Sequence, residues 1–238
     1  MLNWLLRYQP AINILDEFNA DGVLDVGAGW HGVTRWWPHP AVQTDIQFGG
    51  APHKVQRRGV AELVRASADC LPFEDDAFDF AISLDMVEHL PSSIRSESIH
   101  ELTRVARRGV VIGYPVGEEA RRVDETLARI VRATRRPLPD WLDEHLAQDA
   151  YPDETTLLRA LPTTWSISRT IAVGNTTLQK AVVLADMAPG LSTLAAAIEQ
   201  RLATRGSTPA RLNRGRTYRT VWLLEPNNGL QDHAPAPS

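Results

Sequence analysis

A short apolar run that ends in a glycine-rich turn sets the strongest limit on the fold. Residues Val23–Val26 are followed by Gly27, Gly29 and Gly32 in the segment VLDVGAGWHG. The run is typical of a buried parallel strand, and the glycines let the backbone turn sharply and approach a ligand. Because the spacing formally satisfies G-x-G-x-x-G, a dinucleotide-binding fold is the first alternative, and a purely structural turn is the second.

The carboxylate of Asp25 favours another kind of ligand. Asp25 stands two residues before the first glycine, where it would repel a pyrophosphate and suit a group that carries an ammonium. Asp45 lies 20 residues further on, at the end of a second predicted strand, Val42–Ile46. Its carboxylate can accept hydrogen bonds from two ribose hydroxyls, which either class of cofactor has. A cap or turn role for Asp45 is the structural alternative.

Strands and helices alternate through the first half of the chain. Phe78–Leu84 and Val110–Gly113 are predicted strands, and Ser92–Ala106 between them has helical periodicity. Val60–Ser67 is ambiguous between a helix and a third strand. This alternation predicts a parallel sheet covered by helices on both faces.

The second half reads differently. Glu118–Arg135 is predicted to be a polar amphipathic helix, and Arg136–Pro162, with four prolines, is predicted to be a cover rather than part of the sheet. The remaining predictions are an amphipathic helix over residues 3–19, strands at Trp165–Val173 and Tyr218–Leu224, mainly helix over Leu178–Arg205 and a frayed tail from Pro226.

Three segments in a fixed order carry a family resemblance. VLDVGAGWHG, then TDI, then ADCLPFEDDAFDFAISLDMVEHL resemble the class I S-adenosylmethionine methyltransferases whose third motif reads D-x-L-P-F. The resemblance covers Val23–Tyr114. It implies a doubly wound, mostly parallel, seven-stranded Rossmann-like sheet, in which Tyr218–Leu224 is antiparallel, with a helical N-terminal segment and a helical cover after the fifth strand. It also implies a methyltransferase domain over residues 21–225 with a substrate cover at 117–162, a separate N-terminal helix at 1–20 and a flexible tail at 226–238.

The resemblance also implies where S-adenosylmethionine would bind. Its methionine part would be lined by the glycine loop, its ribose bound at the end of the second strand and its adenine placed at the third motif, with the fourth strand closing the site. The corresponding residues are Asp25, Gly27, Gly29, Asp45, Asp69, Cys70, Leu71 and Leu84. His31 occupies the place where the family commonly has its third glycine, so Gly32 is in doubt as a contact.

Two histidines are candidate general bases. Methyl transfer to a hydroxyl requires removal of a proton, and an imidazole can accept it at neutral pH. His89 follows the fourth strand in MVEHL, and His145 lies in WLDEHL within the predicted cover. We expect His145 to be the base because the cover should determine substrate specificity. The structural alternatives are a cofactor-pocket or cap role for His89 and a solvated helix end for His145.

Other residues of these segments are predicted to bind the acceptor. They are Glu88, Tyr114, Trp141, Glu144 and Tyr151. The carboxylates of Glu88, Asp140, Asp143 and Glu144 could supply hard oxygen ligands for Mg2+, although no spacing requires the ion.

Composition narrows the partners. A formal charge of -4 and a pI near 6.0 do not support nucleic-acid binding. Cys70 is the only cysteine and no stretch is apolar enough to span a bilayer, so we expect a cytoplasmic protein without an internal disulfide.

WLDEHL and the later YRTVWLL are similar to small bacterial methyltransferases found with sugar-modifying enzymes, including those that methylate methylmannose polysaccharide precursors. The expected activity is therefore O-methylation of a sugar or oligosaccharide. The alternatives are another small acceptor (a quinone-type ring, a lipid or an amine) and a silent nucleotide-binding scaffold. The N-terminal helix could serve as a lid or as a homodimer contact.

Overall fold

The computed structural model describes residues 2–48, 57–147, 151–152, 154–188, 190–191, 194, 197–199, 201 and 213–227. Seven strands lie in this part of the chain and form a single sheet. They are β1 (Val23–Val26), β2 (Ala41–Asp45), β3 (Ala61–Arg65), β4 (Phe78–Leu84), β5 (Ala106–Pro115), β6 (Trp165–Asn175) and β7 (Thr217–Pro226).

The strand order is β3-β2-β1-β4-β5-β7-β6. Strands β1 to β5 pair in parallel, whereas β7 is antiparallel to both of its neighbours. The predicted fold class and the antiparallel Tyr218–Leu224 are thus confirmed. The chain reverses its direction of travel across the sheet between β1 and β4, and ligands of such sheets bind at the carboxyl ends of the strands beside this reversal.

Some boundaries differ from the sequence-based prediction. The ambiguous segment 60–67 contains β3, because residues 61–65 pair in register with all five residues of β2. The predicted helix Ser92–Ala106 begins with a single 3-10 turn at Ser92–Ile94 and ends at Val105. Ala106 already pairs with Phe78, so β5 starts four residues earlier than the apolar run Val110–Gly113 suggested.

Helices bury apolar side chains on both faces of the sheet. On one face, α1 (Leu2–Glu17) packs Tyr8, Ile12 and Leu15 against β4 and β5. On the other face, α2 (Arg95–Val105) packs Ile99 and Leu102 there. No helix in the described part of the chain is long and apolar enough to cross a membrane.

The described segment after β5 forms four further helices, three before β6 and one after it. They are α3 (Gly117–Ala133), α4 (Asp140–Ala147) and α5 (Glu154–Arg159), and α6 (Thr176–Met187) follows β6. Helices α3 and α4 share a small core with α6 and Tyr218. Leu157 of α5 instead packs in the core that contains α2, so this end of the predicted cover lies on the same face of the sheet as α2. The predicted tail beyond residue 227 and most of residues 189–205 lie outside the described residues.

Candidate active site

Two adjoining cavities open at the carboxyl edge of the sheet. A cleft of about 210 Å³ lies beside the reversal between β1 and β4 and is lined by Gly27, Asp45, Ala66, Ala68, Met86 and neighbouring residues. A second pocket of about 350 Å³ adjoins it and is lined by Trp4, Arg7, Asp85, Glu88, His89, Trp141, His145, Gln179, Tyr218 and Arg219. Asp85 and His89 line both cavities. The cleft has the position of a nucleotide-type cofactor site, and the pocket has that of a site for a second reactant.

The glycine loop after β1 forms one wall of the cleft. Gly27 has a φ of 75°, and a Cβ atom there would lie 2.3 Å from Cγ of Met86, so only glycine fits. The backbone N–H of Gly29 donates to Oδ2 of Asp45 at 3.0 Å. Gly32 packs on Gln43 at a φ of 47°, which accounts for this glycine structurally without a cofactor contact.

Asp25 lies beneath the loop rather than in the cleft wall. Its side chain is fully buried, and its Oδ2 accepts a hydrogen bond from the backbone N–H of Val33 at 2.6 Å. Burial raises the pKa of Asp25 to about 7, although the hydrogen bond from Val33 and the charge of Arg7 act in the opposite direction. The carboxylate of Asp25 therefore supports the loop through the backbone of Val33 and does not line the cleft, and its contact with a cofactor stays a prediction.

The third motif forms a tight turn at the other side of the cleft. Ser67 donates a side-chain hydrogen bond to Asp69, and Ser67 and Cys70 form an isolated antiparallel bridge. The backbone N–H of Leu71 is taken by Glu101 at 2.7 Å. Ala66 and Ala68, rather than Asp69–Leu71, line the cleft directly. Leu84 is buried in the core, and the next two residues, Asp85 and Met86, reach the cleft.

The two predicted histidines meet in the second pocket. Nε2 of His145 lies 3.3 Å from Nε2 of His89. Nδ1 of His145 donates to Asp124 at 2.9 Å, and Nδ1 of His89 donates to Glu144 at 2.8 Å. Each imidazole is therefore oriented by a carboxylate on its far side, and both Nε2 atoms point to the same spot.

Asp124 is a site residue that sequence reasoning missed. It is fully buried in α3 and accepts hydrogen bonds from Tyr151 at 2.6 Å and from Tyr218 at 2.9 Å, besides the one from His145. A signal was present in the sequence. Asp124 interrupts the apolar face formed by Ala120, Leu127, Ala128 and Val131 of α3, and a buried carboxylate requires partners.

An ion-pair cluster forms the floor between the two cavities. Arg219 donates from Nε at 3.0 Å and from Nη2 at 2.6 Å to the two carboxylate oxygens of Asp85. Arg7 of α1 lies 3.8 Å from the same carboxylate. Burial alone would raise the pKa of Asp85, but Arg219 and Arg7 outweigh it and hold that pKa below its usual value. The contacts of Arg219 and Arg7 with Asp85 hold β7 and α1 against the end of β4.

Glu88 is buried beside this cluster, but its pKa is shifted in the opposite direction to that of Asp85. In the described part of the chain, no other residue hydrogen bonds to either of its carboxyl oxygens. Burial, reinforced by the nearby charge of Asp85, raises the pKa of Glu88 well above its usual value. A polar group that is buried without a partner costs free energy, so Glu88 is available for a group that enters the pocket.

The other predicted acceptor residues occupy different places. Trp141 lines the pocket, and the exposed Glu144 orients His89 without lining it. Tyr151 bonds to Asp124. Tyr114 is fully buried and packs edge-to-face on Trp222 with ring centroids 5.3 Å apart, so it belongs to the core.

The four carboxylates that were considered for Mg2+ are dispersed. Asp140 and Asp143 are exposed on α4, and Glu144 bonds to His89. Only Glu88 belongs to a described group with metal-ligand geometry, which also contains His89 and His145.

Comparisons with known proteins agree with this architecture. The family model described as "Methyltransferase domain" matches residues 24–113. A SAM-dependent methyltransferase from Methanosarcina mazei superposes with a TM-score of 0.53 at 15% identity, covering 90% of this chain and 96% of that one. The magnesium protoporphyrin IX methyltransferase of Synechocystis, solved with bound SAH, gives 0.51 at 13% identity, covering 93% and 84%. At these identities, the two structures show the fold.

One curated relative also matches over part of its length. An uncharacterized protein of Haemophilus influenzae is 29% identical over 100 residues, which are 40% of this chain and 38% of that protein. The chain thus spans about two fifths of this relative.

Proposed function

We propose that this chain, whose residues 24–113 match a methyltransferase domain model and which has the class I fold, transfers the methyl group of S-adenosylmethionine to a hydroxyl of a small saccharide. The single observation that carries the proposal is the junction of the two cavities. A cleft suited to the methyl donor meets a polar pocket at His89 and Asp85, and a pair of oriented histidines stands there.

The residues of the cleft fit S-adenosylmethionine. Gly27 leaves the wall open where a side chain would intrude, and Asp45 offers a carboxylate at the end of β2 for ribose hydroxyls. Ile46, Ala66, Ala68 and Leu90 offer apolar surface for a flat base. One structural neighbour was solved with bound SAH, in keeping with this assignment. The cofactor would supply the reactive methyl group, and the chain must align and deprotonate the acceptor.

The pocket favours a polar acceptor. Arg7, Glu88, Gln179 and Arg219 bring hydrogen-bonding groups to it, and Trp4 and Trp141 bring aromatic surface. A saccharide combines hydroxyls on its edges with apolar C–H faces, which suits such a lining better than a quinone-type ring or a lipid tail.

His145 is proposed as the general base. With Nδ1 donating to Asp124, neutral His145 presents the lone pair of Nε2 to the pocket. A proton taken from the acceptor hydroxyl would then be shared with Nε2 of His89, 3.3 Å away. The buried carboxylate of Asp124 would stabilise the imidazolium that forms. Asp124 is in this scheme a positioning residue, because it acts through His145.

The test measures cofactor binding and turnover separately. We expect S-adenosylmethionine to bind in calorimetry, and methyl mannosides or short mannose oligosaccharides to support release of S-adenosylhomocysteine. His145→Ala should reduce kcat by about 10²-fold or more while the Kd for the cofactor changes little. His100→Ala, an exposed histidine on α2, is the matched control and should behave as the parent protein.

Two outcomes would contradict the proposal. Absence of cofactor binding would favour the scaffold alternative. Turnover of an amine in place of the saccharides, unchanged in His145→Ala, would favour an amine acceptor, since a neutral amine needs no base.

A further inference from the structure

The two imidazoles of the second pocket repel each other electrostatically when both are neutral. A carboxylate accepts hydrogen bonds, so Asp124 and Glu144 fix the N–H of each imidazole at Nδ1. When both rings are neutral, the lone pairs of the two Nε2 atoms face each other across 3.3 Å. Two lone pairs at this distance repel, and the repulsion is relieved when a positive species lies between them.

The distance itself matches metal coordination. Two nitrogen donors that each lie about 2.0–2.1 Å from a tetrahedral ion are about 3.3–3.4 Å apart. The Nε2 atoms of His89 and His145 have this separation without any movement. Metal-bound histidines also typically donate their other ring N–H to a carboxylate, which fixes the ring orientation. Both imidazoles already have that outer partner.

Glu88 supplies a third ligand. Its ligand atom and those of His89 and His145 all lie within 4.8 Å of one another. Glu88 as a whole residue is 3% exposed, and no other described residue hydrogen bonds to its carboxyl oxygens. It is thus a buried acceptor group next to the point where the two imidazoles converge.

From this geometry we infer that Glu88, His89 and His145 form a binding site for a divalent transition-metal ion of the zinc class. Two imidazoles and one carboxylate favour such ions over Mg2+, which prefers oxygen ligands and retains its waters. Three protein ligands leave a coordination position open. All three residues line the second pocket, so this position opens into the pocket proposed for the acceptor.

The inference goes beyond the proposed function and does not require it. A shared proton and a metal ion are alternative occupants of the space between the two Nε2 atoms. When neither a proton nor an ion lies between the two Nε2 atoms, His145 acts as the proposed base. With an ion bound, both Nε2 atoms would be ligands, and the charge of the ion would lower the pKa of an acceptor hydroxyl held at the open position.

Metal binding to the full chain tests the inference directly. After dialysis against EDTA and removal of the chelator, the protein is titrated with Co2+ and followed by visible absorption, and with Zn2+ by calorimetry. We expect one ion per chain and the intense absorption bands of a low-coordinate Co2+ site. His89→Ala and His145→Ala should each weaken binding by about 10-fold or more, and Glu88→Gln should weaken it as well.

Controls separate ligand loss from unfolding. His100→Ala should bind as the parent does, and circular dichroism should show that each variant is folded. A 1:1 complex of equal affinity in the double variant His89→Ala/His145→Ala would overturn the inference, and so would absence of binding to the folded parent protein. Cofactor binding and turnover measured in EDTA test the proposed function independently, so the two can fail separately.

Discussion

Two fully buried carboxylates are held in different ways in this protein. Asp124 accepts hydrogen bonds from two tyrosine hydroxyls and one imidazole, which come from outside its own helix. Asp25 has one short hydrogen bond, from the N–H of Val33, a longer contact of 3.5 Å with the hydroxyl of Tyr8, and a side-chain hydrogen bond from Gln43. These donors offset only part of the loss of water on burial. The pKa of Asp25, raised to about 7 by burial, is the consequence.

Replacement of Asp25 by asparagine should change how stability depends on pH. The unfolded chain releases the Asp25 proton near 3.8, and the folded protein keeps it until about 7. Between these values the folded state holds the extra proton, so its stability falls as the pH rises. Asp25→Asn has no such proton to lose. The free energy of unfolding of Asp25→Asn minus that of the parent should therefore increase by a few kcal/mol as the pH rises through this window.

Urea unfolding of both proteins from pH 4 to pH 8 measures this difference. The remaining titrating groups are common to the two proteins and cancel. The difference should level off above about pH 7, where Asp25 is ionised in both states. Parallel stability curves over the whole range would contradict the prediction.

At the scale of elements, the loop between β1 and β2 combines close packing with unusual backbone angles. Gly27 and Gly29 both have a positive φ, of 75° and 57°. A Cβ atom at Gly27 would overlap Met86, whereas a Cβ atom at Gly29 would meet no atom within 4 Å. The two glycines thus share the backbone requirement and differ in the packing requirement.

Alanine at these two positions should therefore have unequal effects. Gly29→Ala should cost about 1–2 kcal/mol of unfolding free energy, from the left-handed backbone alone. Gly27→Ala should cost about 1–3 kcal/mol more, because Met86 has to move. Chemical unfolding without ligand gives both values. Equal losses would show that Met86 yields without cost, and that the overlap does not make glycine necessary at position 27.

The sequence predicted the elements whose signal is local. The apolar runs of β1 and β4 and the periodicity of α2 and α3 are contained within their own residues. The signal for β3 is not local, because residues 61–65 are only partly buried and become a strand by pairing with β2. Likewise, α5 was assigned to the cover, although Leu157 completes the core below the sheet. Such contacts depend on residues distant in the chain.

The same limit applies to the site. His89 and His145 could be selected because of their positions after β4 and within the cover. Their contact, and the role of Asp124, follow from packing between segments 21 and 56 residues apart. Arg219 and Asp85 are separated by 134 residues. The sequence offered only a weak hint of this pair, namely a basic residue at the start of the otherwise apolar β7.

At the scale of the whole molecule, two ion pairs connect distant parts of the chain in contrasting environments. Glu17 at the end of α1 binds Arg169 of β6 with two contacts of 2.7 Å, and these side chains are 52% and 40% exposed. Asp85 and Arg219 are 13% and 2% exposed. Water and salt screen the first pair, whereas the second is held largely out of water.

Disruption of the two pairs should have different consequences for the folded state. Glu17→Ala should lower the free energy of unfolding only slightly, because exposed pairs contribute little. Arg219→Met should lower it by about 3 kcal/mol, because it leaves the carboxylate of Asp85 buried with only the more distant Arg7 nearby. Urea unfolding at neutral pH in low and high salt measures both values. High salt should erase the small effect of Glu17→Ala and leave most of the effect of Arg219→Met. Losses of equal size would mean that the Asp85–Arg219 pair is not needed to hold β7 and α1 at the end of β4, and that the second pocket is kept in shape by apolar packing alone.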